Sequence, residues 1–560
     1  IGRSTNIVLS RASSLANQGR GFSLISSTNL LLEHALAWSN AGSAVYLNAS
    51  QIKVTNSILT AHASGRYIYE SATTNDTVRA DYNNVLITAP AQAALLGSRV
   101  HRFLINLQNE AGVDVRSLSH APDFADAVAG DFHLKSTVGR WVPGLGWTTD
   151  TVHSVLIDAG VPTYSVGGEL PPNGGRINIG LHGGSSEASL SDTNGRLLTL
   201  TLNAGGTVRG TNLIYWLAHG PVTGHLVYLD FSSDGGLTWT NIATNLAADA
   251  GVYAWNTTLH PSTLSGVWRI TSQSDTVLTS RTAAPFAIVN GPLTFYVNDT
   301  QTVGDVYCTV AGNALFDGAS PESPLPDTAS VLSRYTLGPG DRILVDTGVY
   351  GVGGGLDFGS ALQGGGTNRI VIQGSPNAAA GGTILDGGGA SSALRMTGAS
   401  GLSLHNLRVR NARVGVSITG STNGVLDQVI VEGGRGFSGS SIYGINVAGS
   451  LDIAFRNCAV AGVTNQLGLG AGLTASTSIN LLWEGGVMWS NSVSFLIGSG
   501  TVDVSNSTFS AFGTNDLIYS LAATAFVRAD YNNYHLENGA QLGRGQTYLA
   551  GGTTLPAPLY

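Results

Sequence analysis

The stretch that follows residue 121 contains the first residues whose types could do chemistry. Asp131 and His133 lie two positions apart, and Asp158 follows in the run SVLIDAG. A histidine beside carboxylates can transfer protons or bind a metal ion. No catalytic or metal-binding motif surrounds these three residues, so we interpret them as structural.

A second group lies in a cationic run early in the last third of the chain. It consists of His405, Arg408, Arg410 and Arg413, with Asp427 nearby. Strand alternation predicts that His405, Arg408 and Arg410 face solvent. A solvated polar strand face explains this pattern as well as an acid–base site does. A glycosidase would need two carboxylates at a defined separation, and acids are sparse in this region.

The sequence therefore predicts no catalytic residue, no cofactor-binding residue and no metal ligand. The two cysteines, Cys308 and Cys458, are too few for a disulfide framework or a cysteine-based metal site. Both lie in strand-like runs, so we expect two small, buried, apolar side chains.

The elements that carry these residues belong to a repeated sequence. The heptapeptide VRADYNN occurs at 78–84 and again at 527–533. Upstream of both copies, KVTNS (53–57) matches DVSNS (503–507), and WSN recurs at 38–40 and 489–491. Residues 447–533 thus repeat residues 1–84, which predicts tandem units of about 450 residues.

Within each copy a short pattern recurs: apolar, any, polar, small or apolar, any, apolar. Examples are LHNLRV (404–409), LDQVIV (426–431), FRNCAV (455–460), VSNSTF (504–509) and VTNSIL (54–59). Short period-two strands at intervals of about 20–30 residues predict a solenoid whose stacked coils share one core. The polar third position predicts a ladder of turn side chains between coils: Asn56, Asn406, Gln428, Asn457 and Asn506.

This pattern resembles the right-handed parallel β-helix repeat family, whose architecture is shared with pectin lyases and many bacterial surface proteins. FYVNDT (295–300) and LGPGDRILVDTGVYG (337–351) resemble the opening segment and first coil of secreted β-helix proteins. The resemblance covers about 293–533 and again 1–84. It implies a fold that also hosts polysaccharide lyases and glycoside hydrolases, but the Asn-Thr-Asp, Asp-Asp and Gly-His-Gly signatures of polygalacturonases are absent here.

The middle of the chain has a different character. APDFADAVAGDFHLKSTVGRW (121–141) and PPNGGRINIGLHGG (171–184) resemble the closing segment of bacterial β-helices. Alternating strands then follow, with a hairpin signal at Asp234-Gly235-Gly236 and apolar anchors at Trp216, Trp239, Trp255 and Trp268. This part resembles immunoglobulin-like or fibronectin type III modules.

We therefore predict an all-β chain in which right-handed parallel β-helix segments flank an immunoglobulin/fibronectin III-like β-sandwich. The predicted domains are C-terminal β-helix coils (1–110), a closing or linker segment (111–195), the sandwich (196–292) and a second parallel β-helix (293–560).

Composition limits the partners of this chain. Charged residues make up 11%, the net charge is −8, and the only lysines are Lys53 and Lys135. This balance offers no basic face to nucleic acid, and no apolar run is long enough to span a bilayer. An exposed β-helix end is a hazard unless another coil covers it, so we expect copies of this chain to join end to end.

Three functions follow as hypotheses. The first is a structural subunit or repeat of an extracellular filament, stalk or giant cell-surface protein of bacterial type, with units joined by β-helix stacking. The second is a polysaccharide-binding adhesin, with contacts through loops such as 351–366 and 433–444. The third is a polysaccharide lyase or glycoside hydrolase of the β-helix fold.

Overall fold

The structure, a computed structural model, describes residues 1–62, 66–88, 91–97, 99–433, 441–464, 470–513, 516–544, 547–548 and 554–555. The chain divides into two compact units, one formed by residues 1–290 with 333–335 and the other by 291–332 with 336–560. Strands dominate both units, and both contain a β-solenoid, as the sequence predicts. Neither α-helix in the described ranges has the length and apolar character of a membrane-spanning helix.

The first unit begins with a solenoid of short strands. They are β1 (Thr5–Ser10), β2 (Ser13–Leu15), β3 (Phe22–Ile25), β4 (Thr28–Glu33), β5 (Leu36–Trp38), β6 (Val45–Asn48), β7 (Gln51–Thr55), β8 (Ile58–Ala61), β9 (Tyr67–Ser71), β10 (Thr77–Asp81), β11 (Asn84–Ile87), β12 (Gln92–Leu96) and β13 (Arg99–His101). They form three ladders, β1-β4-β7-β10, β2-β5-β8-β11 and β3-β6-β9-β12-β13. All pairings are parallel except β12 with β13.

Alternation along each strand decides which side chains enter the core. Leu30 pairs with Ile52 and both are buried, whereas Lys53, one position further, is exposed. Successive side chains of a strand point to opposite faces, so stacking the coils aligns the apolar positions into one continuous core.

The last coil of this solenoid is covered by a cap, which we define as residues 103–120. The cap holds α1 (Leu104–Asn106) and a π-helical turn at Leu107–Ala111. Leu104, Leu107 and Val113 join the solenoid core. A coil end exposes apolar side chains and unpaired backbone, and the cap covers both.

The hairpins β14 (Phe124–Asp126) with β15 (Asp131–Leu134) and β16 (Arg140–Val142) with β17 (Gly146–Thr148) follow the cap. From here to residue 195 the backbone forms turns and irregular segments. Phe124, Leu156 and Ile179 pack with Leu36 and Ile58 of the solenoid in a second core. The predicted closing segment therefore lies along the side of the coils.

Two antiparallel sheets follow. Their strands are β18 (Arg196–Thr199), β19 (Thr207–Val208), β20 (Thr211–His219), β21 (Leu226–Ser232), β22 (Thr240–Ala247), β23 (Val252–Asn256), β24 (Thr263–Ser272), β25 (Thr279–Arg281) and β26 (Phe286–Ile288), with 3₁₀ turns at Gly220–Gly224, Ala248–Ala250 and Thr257–Leu259. One sheet is β18-β20-β23; the other is β19-β26-β24-β21-β22 with β25 beside β24, and its only parallel pairing joins β19 to β26. The relation of these sheets to immunoglobulin or fibronectin III modules stays a prediction.

The predicted tryptophan anchors behave differently from one another. Trp216, Trp255 and Trp268 are buried in the core that the two sheets share. Trp239 is half-exposed and lies under the guanidinium of Arg269, 4.1 Å from the ring centre, in a cation–π contact. The prediction that Trp239 anchors the core is therefore wrong. An indole at a hairpin tip can pack against a cation at the surface instead of filling the core.

The second unit contains the longer solenoid. Its strands are β27 (Thr294–Val297), β28 (Arg342–Val345), β29 (Gly348–Gly351), β30 (Leu356–Gly359), β31 (Ile370–Gly374), β32 (Thr383–Thr397), β33 (Leu402–His405), β34 (Leu407–Thr419), β35 (Thr422–Asp427), β36 (Ile430–Glu432), β37 (Ile442–Ala448), β38 (Leu451–Arg456), β39 (Ala459–Ala461), β40 (Gly470–Ser476), β41 (Ser478–Glu484), β42 (Val487–Trp489), β43 (Val493–Ser505), β44 (Thr508–Ala511), β45 (Leu517–Asp530), β46 (Asn533–Leu536) and β47 (Gln541–Arg544). These strands form one 21-stranded sheet. A separate pair, β48 (Thr547–Tyr548) and β49 (Thr554–Leu555), a helix α2 (Thr328–Arg334) and a 3₁₀ turn at Ala378–Ala380 complete the elements.

The first coil of the second unit is covered by its own opening loop. Tyr296 in β27 donates its N–H to Gly318 O, and Asn298 donates to Leu325 O. The buried carboxylate of Asp346 accepts N–H bonds from Tyr307 and Cys308, which fixes the same loop. This coil end is closed within the unit.

The polar third position of the coil pattern has a backbone cause. Asn56, Asn406, Gln428, Asn457 and Asn506 all adopt a positive φ between 51° and 55°. Asparagine tolerates this left-handed conformation better than most residues, and it is where the chain bends from one strand to the next. In the next coil after Asn457, Gly485 takes the position with φ 65°. The predicted amide ladder is only partial: Asn457 Nδ2 donates to Asp427 Oδ1 at 3.0 Å.

Of the two loops named as possible contact surfaces, the structure describes the first in full and it differs from expectation. Residues 351–366 include the strand β30, whose Leu356 and Phe358 are buried, so this stretch is part of a coil. Residues 434–440 of the second loop lie outside the described residues. Cys308 and Cys458 are free and buried, as predicted, and burial raises the pKa of the Cys458 thiol to about 12.

Candidate functional site

The structure brings Asp131 and His133 together at β15. Phe132 and Leu134 point into the core, so alternation turns His133 to the other face of the strand, where it is still buried. Its Nδ1 lies 2.6 Å from Asp131 Oδ1, and Arg140 lies on the far side of the same carboxylate. Burial opposes ionisation of Asp131, but the bonds from His133, with Arg140, bring the pKa of this carboxyl below its usual value.

The loop around residue 182 supplies two further side chains, His182 and Glu187. Glu169 Oε1 accepts N–H bonds from Asn178 and Gly184, which fixes the two ends of the loop. Ser185 Oγ donates to the carbonyl of His182 at 2.6 Å. Ser189, just beyond the loop, donates to the carbonyl of Leu134 in β15. The loop is therefore held against the strand that carries His133.

Three potential ligand atoms converge here, from His133, His182 and Glu187. The two imidazole rings stack with centroids 3.5 Å apart. Glu187 Oε2 lies 3.7 Å from His133 Nε2 and 3.4 Å from His182 Nδ1. His133 Nε2 is buried and has no hydrogen-bond partner. The cluster opens outward through Glu187, whose side chain is 48% exposed.

Asp158 lies away from this cluster. It is buried, accepts a hydrogen bond from Ser191 Oγ at 2.7 Å, and has its other oxygen 3.4 Å from His219 Nε2. Sequence reasoning named Asp131 and His133 but missed His182 and Glu187, which lie in the LHGGSSE stretch. The sequence signal that could have indicated His182 and Glu187 is an Asp-x-His strand followed by a histidine and a glutamate in a glycine-rich loop.

The cationic run in the second unit alternates as predicted: Leu407 and Val409 are buried, whereas Arg408 and Arg410 face outward. Arg408 Nε donates to Glu432 Oε1 at 2.6 Å, and Arg410 Nε donates to Asp386 Oδ2 at 2.8 Å. Each partner lies in an adjacent coil, so these cations form ion pairs across the ladder.

Nδ1 of His405, the histidine of this run, lies 3.6 Å from Asp427 Oδ2. Burial lowers the pKa of His405, and the charge of Asp427 opposes that effect. Arg413 does not continue the row: it is half-buried between the buried side chains of Ala412 and Val414. Paired arginines leave little free positive charge to neutralise the carboxylates of an acidic polymer.

A groove of about 270 Å³ in the first unit combines aromatic rings with cations. Its lining includes Tyr82, Arg116, Arg176, Tyr215 and Asp249. Both arginines lie over the Tyr82 ring, at 5.7 and 5.5 Å from its centre. Arg176 also donates to Gly160 O at 2.6 Å, and burial lowers its pKa to about 10. Partly exposed rings beside hydrogen-bonding groups suit a sugar face.

The repeated heptapeptide shows one coil edge in two environments. In both copies the first of the two asparagines forms a hydrogen bond to the preceding coil. Asn83 Nδ2 donates to Val54 O at 3.1 Å, and Asn532 Nδ2 donates to Val504 O at 3.0 Å. In the first copy the cap covers this edge, and Asn83 and Asn84 are fully buried. In the second copy Asn533 is exposed.

The other edge shows the reverse difference. Ile453 and Phe455 in β38 are fully buried, because β35 precedes them in the ladder. The matching residues of β1, Ile7 and Leu9, are only partly buried, and among the described residues no strand pairs with the outer side of β1. Among the described residues, no strand lies beyond β1 in the first solenoid, and in the second solenoid β47 pairs with Leu517–Ser520 of β45 but not with its last residues.

Comparison with known proteins adds little. No protein-family model and no curated protein matches this chain. Among solved structures, an alginate lyase from Paenibacillus sp. str. FPU-7 matches with 14% identity and a TM-score of 0.21, over 36% of this chain and 92% of that chain. A likeness this weak supports no conclusion about the present chain.

Proposed function

We propose that this chain is a structural element of an extracellular assembly, in which solenoids join end to end by continuing their parallel ladders. The observation that carries the proposal comes from the repeat: β38 is stacked in parallel on β35 and buries Ile453 and Phe455, whereas the matching Ile7 and Leu9 of β1 are only partly buried. An uncovered strand edge presents unpaired N–H and C=O groups and is a template for another strand. The extracellular location is part of the proposal and is supported by the low content of charge and lysine.

The β1 edge fits a preceding coil. In the second copy that role belongs to β35, which pairs in parallel with β38 and covers Ile453. A coil placed in the same way before β1 would complete the burial of Ile7 and Leu9. Burying apolar surface contributes about 25 cal/mol per Å².

The edge at β45 is a candidate for that preceding coil. Its last residues continue the ladder of β43 in register, with Val527 opposite Val502 and Ala529 opposite Val504. Val527 is half-buried and Ala529 exposed, although Val502 and Val504 are buried. The strand β1 carries no charged residue, so its approach would place no like charges opposite Arg528 or Asp530.

The cap of the first unit defines the competing occupant. Asp114 N–H donates to Ala80 O and Leu118 N–H donates to Asn83 O, both at the heptapeptide edge. A segment with the same chemistry could cover 527–533 and would leave that edge unable to join a second copy. Self-association distinguishes the two occupants.

Sedimentation velocity of the 560-residue chain over a concentration series tests the proposal. We expect mass to grow with concentration, and we expect the double substitution Ile7→Lys with Leu9→Lys to abolish that growth. Val8→Thr is the matched control, because Val8 is 60% exposed and a threonine keeps the size of the side chain without placing a charge opposite Arg528. Monomers at every concentration would overturn the proposal, as would growth that survives the double substitution.

A polysaccharide-binding role is the second candidate, and the groove beside Tyr82 favours it. Stacking of a sugar on Tyr215 with hydrogen bonds from Arg116 would give binding without catalysis. On a glycan array, Tyr215→Ala should remove binding that Tyr531→Ala, an 82% exposed tyrosine in the second unit, leaves unchanged. Equal binding by both variants would exclude this groove.

A further inference from the structure

We propose that His133, His182 and Glu187 form a binding site for a divalent transition-metal ion of the Zn²⁺ class. The site goes beyond the assembly role, since it lies on the β15 strand and the loop around residue 182 and uses no residue of either coil edge. Two imidazoles with one carboxylate are a donor set that suits zinc better than calcium or magnesium, which prefer oxygen ligands.

The distances between donor atoms fit tetrahedral coordination. Zinc–nitrogen and zinc–oxygen bonds of about 2.0–2.2 Å place neighbouring ligand atoms roughly 3.3–3.6 Å apart. The separations from Glu187 Oε2 are 3.4 Å to His182 Nδ1 and 3.7 Å to His133 Nε2, and all three donor atoms lie within 4.8 Å of one another. Small side-chain adjustments would bring them to one ion.

The hydrogen bond between His133 and Asp131 leaves the other ring nitrogen of His133 facing the place where a cation would sit. Asp131 accepts the Nδ1–H of His133 at 2.6 Å, so the neutral ring has its lone pair on Nε2. That buried atom has no hydrogen-bond donor and faces the carboxylate of Glu187. A carboxylate that holds the second nitrogen of a histidine is the usual outer-shell partner of a zinc ligand.

The second histidine is also ready to bind a cation. Its ring stacks on that of His133 with centroids 3.5 Å apart, and its Nδ1 lies 3.4 Å from Glu187 Oε2. Glu187 Oε2 thus lies within 3.7 Å of a nitrogen of each ring. Such a set is stabilised by a shared proton or by a metal ion, and the experiment below separates these.

The ion would join two separate parts of the first unit. His133 lies on a strand, and the other two ligands lie on a loop that is otherwise held by hydrogen bonds of Glu169, Ser185 and Ser189. With three protein ligands and an outward opening at Glu187, the fourth position is left for water or for a donor from a bound molecule.

Titration of the full chain with Zn²⁺ by calorimetry, and with Co²⁺ by visible absorption, tests the site. We expect one tight equivalent with a tetrahedral Co²⁺ spectrum. Loss of an outer-shell partner lowers metal affinity about 10–100-fold, so Glu187→Gln and His182→Ala should each lower it by about 100-fold or more. Both residues are at least partly exposed, so these variants are expected to fold.

The matched control is His535→Gln. His535 Nε2 lies 2.7 Å from Glu537 Oε1 on the surface, which gives a His–Glu pair without a second imidazole. This variant should keep the tight equivalent. A shared proton in place of a metal ion would show as no tight Zn²⁺ binding, and this result would overturn the proposal. Tight binding that survives both ligand substitutions would overturn it as well.

Discussion

Nδ2 of Asn83 donates to Oδ1 of Asp114 over 2.8 Å, and this bond joins the last coil of the first solenoid to its cap. The same carboxylate accepts bonds from Tyr69 Oη and Ser117 Oγ. All four residues are buried. One carboxylate that accepts three hydrogen bonds thus helps to close this coil end. The second copy of the heptapeptide, at 527–533, shows no such carboxylate among its hydrogen bonds in the described residues.

Removing that carboxylate should open the cap. Asp114→Ala leaves three buried donors without an acceptor, and each unsatisfied group costs about 1–3 kcal/mol. We expect the unfolding free energy to fall by about 3 kcal/mol or more, with faster amide hydrogen exchange at 80–85 and 113–118. Asp81→Asn is the control, since its ion pair with the half-exposed Arg116 should contribute less than about 1 kcal/mol. Equal effects of the two substitutions would contradict this role.

The left-handed turn position predicts a second stability effect. Asn406 has φ 52°, a conformation that costs an ordinary L-residue about 1–2 kcal/mol and a β-branched residue more. Asn406→Val should therefore lower the denaturant midpoint, whereas Asn406→Gly should leave it nearly unchanged, because Gly485 occupies the equivalent turn naturally. A valine variant as stable as the glycine variant would refute the backbone explanation.

The third prediction concerns pH. His34 donates from Nδ1 to Gly180 O at 3.2 Å, and its Nε2 lies 3.4 Å from Asn56 Nδ2. Burial lowers its pKa from 6.5 to about 4, opposed by the Gly180 bond and reinforced by Arg11. The unfolded chain therefore binds the proton more readily, so the stability that neutral His34 provides is complete above pH 6.5 and is lost as pH falls towards 4.

The size of this effect is about 3 kcal/mol, taken from 1.36 kcal/mol per unit of pKa shift. Comparison of the wild-type chain with the variant His34→Asn isolates this effect, because asparagine also tolerates the positive φ of this position. Between pH 7 and pH 4 the unfolding free energy of the wild-type chain should fall further than that of the variant. Parallel pH profiles would show that His34 does not titrate in this way.

The ion pairs of the second solenoid give a prediction about catalysis. Because Arg408 and Arg410 each have a carboxylate partner, we expect incubation with acidic polysaccharides to release no unsaturated ends. The measurement is ultraviolet absorption of the reaction mixture, with a known polysaccharide lyase as positive control. Release of unsaturated ends that stops in a His405→Ala variant would revive the enzyme hypothesis.

The solenoid could be predicted from the sequence because its signal is periodic. The recurrence of Leu404, Leu426 and Phe455 at coil spacing marks buried positions, and all three are buried. The reason for the polar residue two positions later was only partly predicted. A positive φ is a property of the bend, and the pattern of residue types records it only through the frequency of asparagine and glycine.

The metal-type cluster could not be predicted in the same way. Asp131 and His133 carry a local signal, but His182 and Glu187 lie in a loop without periodicity. They reach His133 because Glu169 and Ser189 fix that loop against the solenoid side. Contacts between residues so far apart in the chain produce no regular spacing in the sequence. Asp158 was grouped with His133 by proximity in sequence, and the fold separates them.

The most direct test of end-to-end joining is a disulfide cross-link between copies. If β1 of one copy continues the β45 ladder of another, Val8 lies opposite Arg528, and neighbouring strands about 4.8 Å apart are within disulfide reach. The natural cysteines are buried, so the double variant Val8→Cys with Arg528→Cys reports on the added pair. Val8→Cys with Glu537→Cys is the control outside the column. On a non-reducing gel the account predicts a ladder of covalent oligomers for the first variant alone. Monomers without cross-links, or ladders of equal intensity in both variants, would contradict it.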